Sequence, residues 1–355
     1  MKLGLLKNER GNVLIMVAAI MTVLFGIVAL VVDVGLFYVE RRAMVTAADA
    51  AVLAGARELA MSGDTEAAIE VARKYARENG ATLTEDITVE TITRDNQSYQ
   101  ALVANVGVNK EYYFGRLLGL TSQDIMAQAV ATWGYPTSFQ NILPIFYVLE
   151  EGDELPQGEV LLLVRQEDYA SGNWGFLRTD TAGKKGIKDV MAGEESEMYF
   201  QVGDEITNAT ETGKVAANIN SVETRMQRAK DPNSGVTMDG VIPIIREITG
   251  HGHTTVVIVG FAAYEILDVI TAVTKEENNR WYGRGSVYAH FPDVPRLYSA
   301  YEEGYEKKQD ADRDYPKGTI VGRFLTDKFI PARYFIEISQ DPAYDYGIRV
   351  VKLIH

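Results

Sequence analysis

Cysteine is absent from all 355 residues. That excludes disulfides, zinc-thiolate centres and cysteine nucleophiles, while leaving the redox compartment open. An excess of positive charge is lacking too. With a net charge of −14 the chain is not built to track a phosphate backbone, so no nucleic-acid partner is expected. Catalytic signatures are equally scarce: there is no Gly-x-Ser-x-Gly elbow, no phosphate-binding Gly-Lys-Ser/Thr loop, no dinucleotide-binding glycine fingerprint and no His-Glu-x-x-His zinc helix. The expectation is a protein without catalytic residues and without a cofactor.

Charge is also missing from one continuous stretch. Gly11 to Val32 runs 22 residues without an ionisable side chain and is then broken by Asp33. At about 1.5 Å per helical residue the run spans roughly 33 Å, enough to cross a hydrocarbon core of about 30 Å. Lys2, Lys7 and Arg10 precede it, which favours a cytoplasmic N-terminus and an exported remainder, although Arg41 and Arg42 on the far side pull the other way. A signal peptide has the same basic start, but this run is longer and helical character continues past it through Tyr38 and Val39 into alanine-rich Ala47 to Ala60. Prepilin-type cleavage would need Glu five residues after the cut Gly and inside the run. After Gly11 that position is Met16, and after Gly4 it is Glu9, outside the run. An uncleaved single-pass anchor is expected.

No Pro and no glycine pair interrupts the chain from the apolar run to about Met61, so one helix of some 50 residues is expected, with only its first half in lipid or a filament core. Ser62, Gly63 and Asp64 read as a stop and a new cap, and Thr65 to Asn79 as an amphipathic helix with Ala68, Val71, Ala72 and Tyr75 on one side, ended by Asn79-Gly80. Beyond Gly80 the period changes. Ile87, Val89 and Thr91 alternate with polar residues, Ala101 to Val108 and Ile125 to Trp133 are β-like, and Tyr112 to Leu118 reads as a short helix between them. From Ile142 onward apolar runs are separated by Gly, Asn, Asp and Pro: Val160 to Val164, Val241 to Ile248, Thr255 to Val259, Ile320 to Phe324, Tyr334 to Ile338 and Ile348 to Ile354. Lys214 to Lys230 and Gly186 to Met191 read as helices. The fold class is α+β: a long N-terminal helix and helical stalk over residues 1–80, a small α/β segment over 81–135, and a mainly antiparallel β-rich globular domain over 136–355.

These residues resemble the TadE/TadG-like proteins of the Tad (Flp) pilus-assembly systems. The likeness is carried by Arg10-Gly11, the apolar span, Val32-Asp33-Val34-Gly35, Tyr38, Arg41-Arg42, Thr46-Ala47-Ala48-Asp49-Ala50-Ala51 and Leu53-Ala54-Gly55-Ala56. The helix end at Ala76 to Gly80, then Tyr113-Phe114 and Leu117-Leu118-Gly119, extend it to about residue 133. Gly172 to Phe176, Val202-Gly203-Asp204, Val259-Gly260-Phe261-Ala262 and Gly322-Arg323-Phe324 are similar to segments of longer members. The resemblance implies an envelope or pilus-associated protein rather than an enzyme, with other pilus-assembly proteins as partners.

Ala18, Thr22 and Gly26 follow small-xxx-small spacing, which lets helices approach closely, and Asp33 falls near the same stripe. An acid at that depth is costly unless paired, near the interface or packed in an assembly. Ala18, Thr22, Gly26, Asp33, Arg41 and Arg42 are therefore the candidates for self-association through the N-terminal helix, giving a filament subunit; the alternative is a non-polymerising membrane-anchored accessory. Gly172-Asn173-Trp174-Gly175-Phe176 is the best candidate ligand loop, against a plain turn with Trp174 in the core.

No metal site is expected. His251 and His253 lack a spaced third ligand. Asp310, Asp312 and Asp314 alternate as calcium-loop ligands do, but Tyr315 and Val321 stand where an EF-hand needs Gly and Glu. Asp231-Pro-Asn233-Ser-Gly235 ending at Asp239 is a similar acidic turn. Asn96-Gln-Ser98 and Asn208-Ala-Thr210 match the glycosylation acceptor pattern.

Overall fold

A run of apolar and alanine residues with no proline has one low-energy backbone, and the chain takes it: α1 is a continuous helix, Glu9–Ser62, of 54 residues, roughly 80 Å long. In this computed structural model the described residues are 9–94, 97–163, 174–176, 186–194, 199–207, 216–248, 255–275, 278–285, 297–298, 304–314, 317–330 and 337–354. Gly63 ends α1 in the left-handed region at φ 68°, its N–H donating to the Leu59 carbonyl at 2.9 Å. Asp64 then caps α2 (Thr65–Glu78), its carboxylate accepting from the Glu66 and Ala67 amides at 2.9 and 3.1 Å. Two residues between helices force a helical hairpin.

The chain divides into two compact units, Met1–Trp133 with Val351–His355, and Gly134–Val350. The first holds α1, α2, β1 (Leu83–Arg94), β2 (Gln97–Glu111), a 3-10 turn (Gly115–Leu118) and most of β3 (Ser122–Pro136). The antiparallel register of these strands sets core-facing residues in rows: half-buried Val89 with buried Leu102 and Ala131 across the sheet, and Ile87 with Ala104 and Ala129. That face packs on the hairpin, where Ala47, Ala48, Ala51 and Ala56 of α1 and Ala68, Ala72 and Ala76 of α2 share one core with Leu102 and Val106. Alanines keep the helices close, and Tyr75, expected on the inner side, is exposed while Ala76 takes its place. Val351–His355 return to this unit, with the Ile354 N–H donating to the Val130 carbonyl at 2.8 Å.

The second unit contains β4 (Ser138–Gln140), β5 (Ile145–Val148), β6 (Leu161–Leu163), β7 (Trp174–Phe176), α3 (Gly186–Met191), β8 (Tyr199–Gln201), β9 (Glu205–Thr207) and α4 (Ala216–Ala229). It continues with β10 (Asp239–Ile248), β11 (Thr255–Lys275), β12 (Trp281–Gly285), β13 (Leu297–Tyr298), α5 (Lys308–Asp314), β14 (Ile320–Leu325), β15 (Lys328–Phe329) and β16 (Ile338–Ser339), and ends within β17 (Ile348–Leu353). Its spine is the 21-residue β11, which pairs antiparallel with β9, β10, β12 and β14 in turn. The pairs β5 with β10 and β15 with β17 are parallel, so the unit is mainly antiparallel, as the α+β reading requires. Thr255 to Val259 is only the beginning of this strand. The remainder lacks alternation because both faces are covered: Ala262, Tyr264 and Ile266 join one core with Val222 and Met226 of α4, while Phe261 and Ala263 join another with Phe139 and Phe146.

Gly55 marks the tightest approach in the first unit. A Cβ there would lie 2.5 Å from Leu102 Cδ1 and 2.9 Å from both the Ala68 carbonyl oxygen and Ala72 Cβ. Gly55→Leu is expected to destabilise this unit by about 1–3 kcal/mol through overpacking, and thermal unfolding of the full chain in detergent micelles, against the wild type, measures it.

Candidate functional site

The first half of α1 has no partner in its own chain. From Val13 to Val32 nearly every side chain is exposed, and this helix is the one long and apolar enough to cross a membrane among the described residues. Ala18, Thr22 and Gly26 lie on this exposed stretch. Thr22 Oγ1 donates to the Ala18 carbonyl one turn back at 2.9 Å, which satisfies the hydroxyl within the helix, and a Cβ at Gly26 would meet nothing within 4 Å. The stripe is bare in the single chain.

Asp33 is different. Its side chain is 4% exposed, although the residues on both sides of it in sequence are exposed. The carboxylate accepts hydrogen bonds from three consecutive amides of the β2–β3 turn: Tyr113 at 2.9 Å to Oδ1, Phe114 at 3.1 Å to Oδ2 and Gly115 at 2.7 Å to Oδ2. Consecutive N–H groups opening a helical turn form a small anion-binding nest, and a carboxylate is its natural occupant. An acid next to the apolar run is therefore satisfied inside its own chain.

Above Asp33 the helix and the β2–β3 hairpin meet at each turn. Phe37 packs edge-on against Tyr112 with ring centroids 4.7 Å apart, Lys110 Nζ lies 2.7 Å from Glu40 Oε1, and Arg41 Nη1 donates to the Met126 carbonyl on β3. The next contacts up the helix are apolar, beginning with Met44 in the alanine core. Arg42 is exposed. Of the six residues expected to act in assembly, two thus hold the chain's own hairpin, Asp33 and Arg41, and four face outward, Ala18, Thr22, Gly26 and Arg42. The residues missed by sequence reading are Phe37, Glu40, Lys110 and Tyr112. They are ordinary types at unremarkable spacing, and only the pairing of β2 with β3 brings them to the helix.

The other candidates fall elsewhere. Asn173 lies outside the described residues, and Trp174 opens β7 opposite Tyr147 of β5. His251, His253, Asn96 and Asn208 also lie outside them. Asp310, Asp312 and Asp314 belong to α5 rather than to a loop; Asp312, two residues on from Asp310, is on the opposite side of the helix from it and lies 3.7 Å from Lys308 Nζ. Asp231 closes a local turn by accepting from the Asn233 amide at 2.9 Å. No cluster of three or more metal-ligating side chains occurs among the described residues.

The second unit has a cavity of about 390 Å³ lined by Phe139, Asn141, Arg225, Asp239 and Lys328. Its charges are already engaged. The buried Arg225 guanidinium, its pKa pushed down to about 10 by burial and still charged at neutral pH, donates to the Thr237 and Val190 carbonyls at 2.7 and 3.0 Å, tying α4 to α3 and to the lead into β10. Asp239 pairs with Lys328 at 2.6 Å.

Two substitutions probe these contacts. Asp33→Asn keeps the shape but turns an amide donor toward a row of donors, so amide hydrogen exchange at Tyr113, Phe114 and Gly115 is expected to accelerate by at least about tenfold, one such hydrogen bond to a charged group being enough for that factor. Arg225→Ala leaves buried carbonyls unpaired and is expected to cost the second unit about 3 kcal/mol, read from denaturant unfolding of the full chain.

Comparison with known proteins bears on the first site alone. No curated protein and no solved structure matches the chain. Residues 11–58 match the family model described as putative Flp pilus-assembly TadE/G-like, so the resemblance read from the helical region is borne out over the apolar span, Asp33 and most of the alanine-rich part of α1.

Proposed function

We propose that this chain is a single-pass, membrane-anchored component of a Tad-like pilus-assembly system, with its N-terminus inside and everything from Asp33 onward on the far side of the membrane, and with a structural rather than a catalytic role. The observation that carries this reading is the change of α1 at Asp33. Before it the helix is bare and apolar for a bilayer's thickness; from it onward the helix is clamped to a folded unit. Lys2, Lys7 and Arg10 supply the orientation, and the family match over residues 11–58 supplies the pilus context.

The second reading is a filament subunit that self-associates through the same helix. It is favoured by the bare Ala18, Thr22 and Gly26 stripe, which admits a close helix partner in lipid or in a fibre core. Both readings place the chain in the membrane before any assembly.

Fractionation of producing cells tests the choice. The anchor reading expects the chain in the membrane pellet after alkaline carbonate and in the supernatant only with detergent, with sheared surface fibres free of it. Fibres built from this chain, and lost in Gly26→Leu while membrane insertion persists, would instead establish the filament subunit.

A further inference from the structure

The turn that Asp33 holds is itself apolar and uncovered. Between β2 and β3, Leu117 is 86% exposed, Leu118 83% and Tyr113 74%, with Phe114 and Leu120 also open. Large side chains at such exposure on a folded hairpin mark a contact surface. Their position along α1 is not free. The three amides that bind Asp33 belong to this turn, so its height is tied to the first residue beyond the 22-residue apolar run.

We propose that this turn is a second membrane contact: Tyr113, Phe114, Leu117, Leu118 and Leu120 enter the lipid interface beside the emerging helix, on the leaflet from which α1 leaves. The inference rests on the reading that residues 11–32 cross the bilayer. Given that, a helix rise of about 1.5 Å per residue puts Asp33 at the hydrocarbon boundary, and the turn beside it at the depth where apolar side chains dip roughly 5–10 Å into an interface.

Chemistry behind the turn favours lipid over a protein partner. Within the turn Arg116 pairs with Glu111 at the end of β2, and along the helix beyond Asp33 come Tyr38, the Glu40 to Lys110 pair and the exposed Arg42, with Tyr112 packed on Phe37. Apolar tip, aromatic residues and then mixed charge is the order in which a bilayer surface presents tails, interface and headgroups. The carboxylate of Asp33 would otherwise face that boundary as a bare anion. Bound by three amides, it enters with its oxygens hydrogen-bonded, and the Tyr113, Phe114 and Gly115 amides of this irregular turn enter with an acceptor. A helix and a hairpin side by side also restrict tilt and spin of α1, which one helix in fluid lipid cannot do alone.

The absence of cysteine makes the test clean. Full-length chains carrying Leu118→Cys, Gly26→Cys or Glu66→Cys, each labelled with an environment-sensitive fluorophore, are reconstituted into vesicles of zwitterionic and anionic phospholipid bearing nitroxides either near the headgroup or near the chain end. The proposal expects Leu118→Cys to lose fluorescence to the shallow nitroxide and less to the deep one, Gly26→Cys to be quenched mainly by the deep one, and Glu66→Cys by neither. Adding Asp33→Asn is expected to reduce shallow quenching at position 118 and leave position 26 unchanged. Deep quenching at 26 with none at 118 overturns the proposal while leaving the anchor standing, and a blue-shifted but unquenched label at 118 overturns it in favour of a second copy over the turn. No quenching at 26 overturns both the anchor and this inference.

Discussion

One carboxylate fixes the lower end of the long helix against the rest of its unit. Higher up, the buried face of the 54-residue helix is a row of alanines interrupted by Met44, Val52 and Leu59, and Gly55, where a Cβ would meet Leu102 and Ala72, already resists a slide of one turn. Asp33 sets the same height a second time, by polar contacts. Its two oxygens receive three consecutive amides of the turn between β2 and β3, and a shift of one helical turn, about 5.4 Å, would part the carboxylate and the three amides from one another.

The contacts above Asp33 extend the same register rather than add independent ones. Phe37 on Tyr112, Glu40 on Lys110 and Arg41 on the Met126 carbonyl follow the helix upward as the hairpin runs alongside it. The Glu40 to Lys110 ion pair and the Arg41 hydrogen bond are at least partly exposed and individually modest. Their value is positional: polar just beyond Asp33, apolar from Met44 onward, so that each helix turn meets chemistry of its own kind.

Much of this was legible in advance. The apolar run, the stop at Ser62 to Asp64 and the cap at Asp64 are local signals, and local signals survive folding. The strands of the first unit were readable because one face alone is buried, giving Leu102, Ala104 and Val106 a period of two. The second unit was harder. β11 is covered on both faces, so its pattern is an apolar run without alternation, interrupted by Glu265 and Asp268, and its true length is invisible. Asp33 stood out as an unusual acid, yet its partners are backbone amides 80 residues away, and an amide carries no mark in the sequence of residues that bear it. Burial of an acid can be read from the chain; what buries it here could not.

That asymmetry also separates the two halves of the assembly question. A small-residue stripe and a lone acid on one helix face look like one device, since residues seven apart are only about 20° from each other around the axis. Folding splits them: the acid is spent within its own chain, and the stripe remains bare. Association through Ala18, Thr22 and Gly26 would then have to rest on backbone proximity without a polar key, and packing of small residues without such a key is tolerant of register. A fibre with a fixed rise per subunit needs its register from another surface, whereas an anchored protein needs none. The geometry at Asp33 thus weighs toward the anchor.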